Sequence, residues 1–269
     1  MEEVRIVAEE YAGEGISRGL ARGLLVYHGD CNLTGEGMGI GSVALRARDG
    51  NTFFSRSWED RYEGDLLFRT YTLDTCMRWG RKGQSSAGIS CWIEAGITAY
   101  MRLPRLQGLL MRPVSPLRTL LKIDPVFETV PPRGSVTVAC RVTEGQVDVA
   151  ARISGAVRQG DTVCLLNELS AAWFTLGHNG ETPTSPPPGW EYCPPGREPL
   201  PLFDPVHNLL FSMEGLADGA GVPLTLCRGR EQSRDLCWAG FALELGPLEH
   251  PGDIPAVRYT IRLSPGVVS

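Results

Sequence analysis

The sequence predicts a mainly β protein: a large antiparallel β-sandwich or barrel-like sheet of about twelve or more strands with a short helical insertion. Three features lead there. Apolar and polar residues alternate with a period of two in run after run, as Val257, Tyr259, Ile261 and Leu263 do against Arg258, Thr260 and Arg262. Turn signals such as Asp49-Gly50-Asn51 and Glu144-Gly145 separate runs of that kind. Helical patterns do not alternate with the strands, which argues against a parallel α/β sheet. The 32 glycines and 20 prolines suit short strands joined by turns. With no clear break in composition, residues 1–269 are expected to form a single mainly-β domain.

Taken in order, Val4, Ile6 and Ala8 mark an edge strand, and Leu24 to His28 a second. Glycines then occupy 35, 37, 39 and 41. Gly39-Ile-Gly41-Ser-Val-Ala44 resembles a relaxed dinucleotide fingerprint, but that fingerprint needs a helix next. Ser42 to Arg48 alternates as a strand instead, and pairs through Asp49-Gly50-Asn51 with Thr52 to Trp58. Strands brought close by glycine fit better than a nucleotide site. Leu66 to Trp79 reads as one long strand or a bent pair. Ala87 to Met101 alternates again, with Ser90, Trp92, Glu94, Gly96, Thr98 and Tyr100 on its more polar face. Leucines at helical spacing between Pro104 and Lys122 predict one or two short helices. Ser135 to Val142 and Gln146 to Ile153 form a second hairpin. Its opening Gly134-Ser-Val echoes Gly41-Ser-Val, which allows either a two-halves duplication or two hairpins that need the same residues.

The run Thr162 to Leu176, TVCLLNELSAAWFTL, is the centre of the pattern. Read as a strand through at least Leu166, it sends Val163, Leu165, Asn167 and Leu169 to one face and Cys164, Leu166 and Glu168 to the other. Both faces are then largely apolar, as in a strand covered on both sides. After it, nine prolines crowd the segment 181–206 around Trp190, Glu191 and Tyr192. Aromatics amid the prolines point to an ordered flap over the sheet rather than a linker. Leu209 to Met213, Val222 to Leu226, Leu236 to Leu245 and Ala256 to Leu263 complete the strands, with Cys227 to Asp235 expected as a solvated hairpin tip.

Net charge is −5, which gives no electrostatic case for nucleic acid. Lys82 and Lys122 are the only lysines, so positive charge is almost all arginine, the better partner for internal carboxylates. The acidic start, MEEVRIVAEE, has no apolar core of a signal peptide, and no apolar run is long enough to span a membrane. Eight scattered cysteines without a CxxC pair are expected to be reduced, buried and cytoplasmic. Histidines 28, 178, 207 and 250 make no ligand pair by spacing, so no metal or cofactor is expected.

Asn167 and Glu168, polar groups inside an apolar run, demand partners. One reading gives Glu168 a structural partner, an arginine or backbone amides. The other makes it a carboxyl with a raised pKa in a ligand cleft. On the second reading the candidate catalytic residues are Glu168, Glu94, His178 and His28. Trp92, Tyr100, Asp74, Arg78, Asn167, Trp190 and Tyr192 are the candidate ligand-binding residues. Carboxylates, histidines and aromatics in that mix suit a carbohydrate-like or hydroxylated small molecule, bound or processed by acid/base chemistry. The alternatives are a calyx-like carrier, or a lyase or hydratase, for an apolar small molecule, and a non-catalytic homo-oligomeric β-protein.

Overall fold

The computed structural model describes residues 3–10, 18–80, 124–154, 157–187, 189–194, 196–217, 222–232, 236–249 and 254–266. Among them the strands fall into three antiparallel sheets, and no helix is present. The helical insertion expected at 104–122 lies outside the described residues, as does the strand expected over 87–101.

The smallest sheet joins β1 (Val4–Val7), β2 (Leu25–His28) and β3 (Cys31–Asn32). An eight-stranded sheet runs in the order β15 (Trp190–Tyr192), β18 (Leu224–Gln232), β19 (Cys237–Leu245), β12 (Thr162–Leu169), β4 (Gly39–Arg46), β5 (Thr52–Phe54), β8 (Thr75–Gly80), β9 (Asp124–Thr129). A nine-stranded sheet runs β14 (Pro183–Thr184), β13 (Leu176–His178), β16 (Leu202–Asp204), β17 (Leu209–Ala217), β20 (Ile254–Pro265), β11 (Gln146–Ser154), β10 (Ser135–Thr143), β7 (Leu66–Thr72), β6 (Trp58–Glu63).

One apolar core lies between the two large sheets. Val43, Leu45, Val163, Leu165, Phe241 and Leu243 meet Val136, Val138, Val149, Phe211, Tyr259 and Ile261 there. The Phe211 and Phe241 rings touch at 5.0 Å across the gap. Opposed sheets with interdigitated inner faces fit a sandwich. β12 is buried at every position. Its faces divide as the alternation predicts: Val163, Leu165 and Leu169 enter the main core, while Cys164 and Leu166 join a second cluster with Met38, Ala44, Cys227 and Ala242 on the outer side.

The hairpin predicted at 135–153 forms as β10 and β11. The other predicted pairing is shorter than its pattern suggests. β5 stops at Phe54, and β6 starts at Trp58 in the opposite sheet, so Ser55 to Ser57 turn a corner. The long run from Leu66 bends in the same way, into β7 and β8 of different sheets. The predicted solvated tip at 227–235 is corrected: β18 continues through Gln232, with Cys227 and Arg228 buried. Arg228 pairs there with Glu191 at 2.7 Å and donates to the Leu200 carbonyl.

Glycine at 39 and 41 lets β4 start where the backbone is crowded. Both have positive φ, at 80° and 74°, and a Cβ on Gly39 would lie 2.7 Å from the Leu24 carbonyl oxygen. The register of β4 against β12 shifts between Leu166 and Asn167, beside Gly41.

Arginine supplies the internal charge pairs. Arg69, on β7, is held at 2.7 Å by Asp60 of β6, with only 3% of its side chain exposed. Arg133 meets the fully buried Asp161, and Arg46 meets Glu244 with two hydrogen bonds of 2.9 Å. Lys82 and Lys122 lie outside the described residues. The seven described cysteines are free. Burial pushes the Cys140 and Cys164 thiols up to about 12, so they stay protonated as small apolar groups.

Candidate functional site

The C-terminal end of β12 and the N-terminal end of β4 lie side by side, Glu168 opposite Gly39. The loop between β3 and β4 closes over this end. The Ser170 amide donates to the Leu33 carbonyl, and the buried Thr34 hydroxyl accepts the Val26 amide at 2.8 Å. Thr34→Val keeps the shape but strands that amide. It is expected to cost about 1–3 kcal/mol, read by urea denaturation.

Glu168 is 7% exposed. Its Oε2 accepts the Met38 amide at 3.2 Å. Burial drives its pKa up to about 7, although the Met38 hydrogen bond and the Arg22 charge pull it down; Glu231 adds to the rise. No salt bridge to arginine neutralises it among the described residues, and the buried Arg22 donates through Nη1 to the Gly35 carbonyl at 2.6 Å. Glu168 therefore takes up and gives back a proton near neutrality.

The register places aromatic rings in the same row. Glu168 lies opposite Gly240, Gly240 opposite Gly229, and Gly229 opposite Trp190. Trp190 stacks on Trp238 at 4.3 Å, with the rings inclined 23°. Two glycines thus separate the carboxyl from the stacked indoles on the outer side of the sheet, and the space over Gly229 is filled by the Trp238 ring and the Gly189 carbonyl. Tyr192, two residues on, sits opposite Cys227 on the same side and is 37% exposed; burial raises its hydroxyl pKa.

Asn167 points the other way, into the core. Its Oδ1 accepts the Gly41 amide at 3.0 Å and the Tyr259 hydroxyl at 3.2 Å, which ties the two large sheets together. Its Nδ2 is buried and has no partner among the described residues. Asn167 is a joint within the fold and does not share the surface of Glu168.

His28 ends β2, and its ring meets His207 at 5.1 Å. His207 Nδ1 lies 2.6 Å from Oδ2 of the fully buried Asp204, whose Oδ1 accepts the Val206 and His207 amides. Trp173, just beyond β12, packs edge-on against His207 at 5.0 Å. The loop contact from Leu33 to Ser170 and the Trp173 contact bring His28 and Glu168 to one end of the sheets. The Asp204–His207 pair has a local signal, Asp-Pro-Val-His-Asn, a turn in which the carboxylate caps the next amides. Asn208 completes it at φ 53°.

The other candidates sit elsewhere. His178 is 1% exposed in β13, where its Nδ1 accepts the Gly180 amide at 3.1 Å, a turn role. Asp74 lies at the bend between β7 and β8, accepting the Thr75 hydroxyl. Arg78 takes a backbone position in β8 opposite Val126. Glu94, Trp92 and Tyr100 lie outside the described residues. The proline-rich segment supplies the interior strand β16 and two edge strands, β14 on the nine-stranded sheet and β15 on the eight-stranded one. That is how Trp190 reaches Trp238. Trp238 itself reads in the sequence as one more apolar strand residue, and only its register reveals it.

Among the described residues no group of three His, Cys, Asp or Glu side chains is placed to hold a metal ion, and no helix is long and apolar enough to cross a membrane. Comparison with protein-family models, curated proteins and solved structures finds no match.

Proposed function

We propose that this β-sandwich binds a carbohydrate-like or hydroxylated small molecule at the Glu168 end of the eight-stranded sheet, with Glu168 exchanging a proton with a ligand hydroxyl. The observation that carries the proposal is a carboxyl with a pKa raised to about 7 in register with the Trp190–Trp238 stack. An indole face suits the apolar side of a sugar ring, and a carboxyl half protonated near neutrality both donates to and accepts from a hydroxyl.

Sugars stabilise most proteins by exclusion from the surface, so the discriminating readout is stereochemical. Thermal shifts are compared for epimeric hexoses at equal concentration, in the wild type and in Trp190→Ala. One epimer is expected to raise the melting temperature above the others, and Trp190→Ala is expected to remove that difference. Equal shifts for all epimers, or a preference that survives Trp190→Ala, overturn the proposal.

A second reading rests on the outer apolar cluster. Cys164, Leu166, Cys227 and Ala242 are joined there by Phe54, Phe127 and Trp190, which favours a carrier for an apolar ligand. A shift produced by short-chain fatty alcohols, with none from the hexoses, selects it.

A further inference from the structure

We propose that the opposite end of the eight-stranded sheet carries a second site, one that binds a tetrahedral dianion such as the phosphate of a phosphomonoester. A cleft of about 450 Å³ opens there, lined by Arg48, Asp49, Arg133, Arg158, Gln159 and Asp161. Asp161 immediately precedes β12, and Glu168 lies seven residues along that strand. At 3.3 Å per residue the two ends are about 23 Å apart, so this cleft is separate from the Glu168 site.

Three arginines line the cleft in a chain of net charge −5. Asp161 is fully buried beneath them, and its charge is already committed. Oδ1 accepts the Arg48 amide at 3.1 Å, Oδ2 accepts the Arg158 amide at 3.1 Å, and Arg133 Nη2 reaches both oxygens at 3.0 and 3.1 Å. One buried carboxylate thus fixes the backbone of two arginines and the side chain of the third. Arg133 is held further by the Phe53 ring, 5.1 Å from its guanidinium carbon. The stem of Arg48 lies across Gly160, where a Cβ would come within 2.9 Å of Arg48 Cδ. Asp49 also faces the cleft, but its Oδ1 is engaged in capping the Asn51 amide at 3.0 Å.

The side chains of Arg48 and Arg158 are exposed, and neither has a carboxylate partner among the described residues. Both arginines line the cleft. Planar guanidinium forks match the oxygens of a phosphate, and prior fixation of Arg133 and of the Arg48 and Arg158 backbones lowers the ordering cost of binding. The ligand class follows from the chemistry: a doubly charged oxyanion on a molecule small enough for the cleft.

The test is calorimetric titration of the full chain with inorganic phosphate and with glycerol phosphate, at fixed ionic strength set with chloride. Saturable binding to the wild type is expected, weaker by about tenfold in each of Arg48→Gln and Arg158→Gln, since each loses a charge-assisted hydrogen bond. Both changes fall on exposed side chains, so each variant should melt with the wild type; if one does not fold, the other alone decides. Tighter binding of glycerol phosphate than of inorganic phosphate identifies an ester as the ligand type. Absence of saturable binding, or binding that both variants retain at wild-type strength, overturns the proposal.

Discussion

Asp60→Asn is expected to destabilise the fold by about 3–5 kcal/mol, the cost of leaving a buried arginine without its carboxylate. Arg69 lies on the inward face of β7 between Leu67 and Tyr71, all three buried. Asp60 meets it through both oxygens, at 2.8 and 2.7 Å, and the Trp58 ring stands 4.7 Å from its guanidinium carbon. Burial works against its charge, but the Asp60 hydrogen bonds and the neighbouring Tyr71 outweigh that, and its pKa rises above the ordinary arginine value. The same guanidinium donates to the Arg22 and Gly23 carbonyls at 3.0 and 3.2 Å, fastening the segment that leads into β2. This separates it from a plain ion pair. Replacing both partners by apolar residues often restores stability in plain pairs. Here the double variant Asp60→Leu/Arg69→Met leaves the Gly23 carbonyl without that donor and is expected to stay well below the wild type. Chemical denaturation of the single and double variants checks both statements, and a double variant as stable as the wild type would sink the second.

Glu168→Gln is expected to be more stable than the wild type at pH 8 by about 3 kcal/mol, with the two nearly equal at pH 4.5. The sign follows from the raised pKa. Unfolded, the carboxyl titrates near its model value of 4.5; folded, burial holds it near 7. Below pH 4.5 both states are protonated and no penalty exists. Between pH 4.5 and 7 the folded state binds more protons than the unfolded state, so stability falls as pH rises. Above pH 7 the penalty is complete and constant. Glutamine keeps an oxygen for the Met38 amide and never ionises. Denaturation of both proteins at several pH values reads the difference directly. A gap that does not grow with pH would mean that the ionised carboxylate is stabilised inside the fold. Under the proposed function the same variant gains stability while losing proton exchange with the ligand.

Alternation made the strands legible wherever one residue in two faces a core. The two faces of β12, the hairpin at 135–154 and the strand character of Gly39–Arg46 all follow from it. Sheet membership does not. The corners at Ser55 to Ser57 and at Leu73-Asp74 are short, and their residues resemble those of any strand end, so one pattern spans two sheets. No local signal in the sequence marks Arg69 as buried, because its carboxylate comes from the neighbouring strand and its carbonyl acceptors from residues 22 and 23. At the candidate site, Glu168 stood out as a charge in an apolar run. Trp238 and the Asp204–His207 pair did not, because their significance depends on which strands become neighbours. His178 stood out by type, yet its nitrogen serves its own turn.

The order of strands also bears on how the chain reaches its native state. β20 runs through the interior of the nine-stranded sheet, between β17 and β11. A nascent polypeptide whose β20 is still within the ribosome holds that sheet in two separate pieces, each with a raw hydrogen-bonding edge. Much of the pairing also joins distant sequence positions, as β4 with β12 and β7 with β10 do. Slow maturation follows, with a window in which a chaperone able to shield unpaired edges would raise the yield.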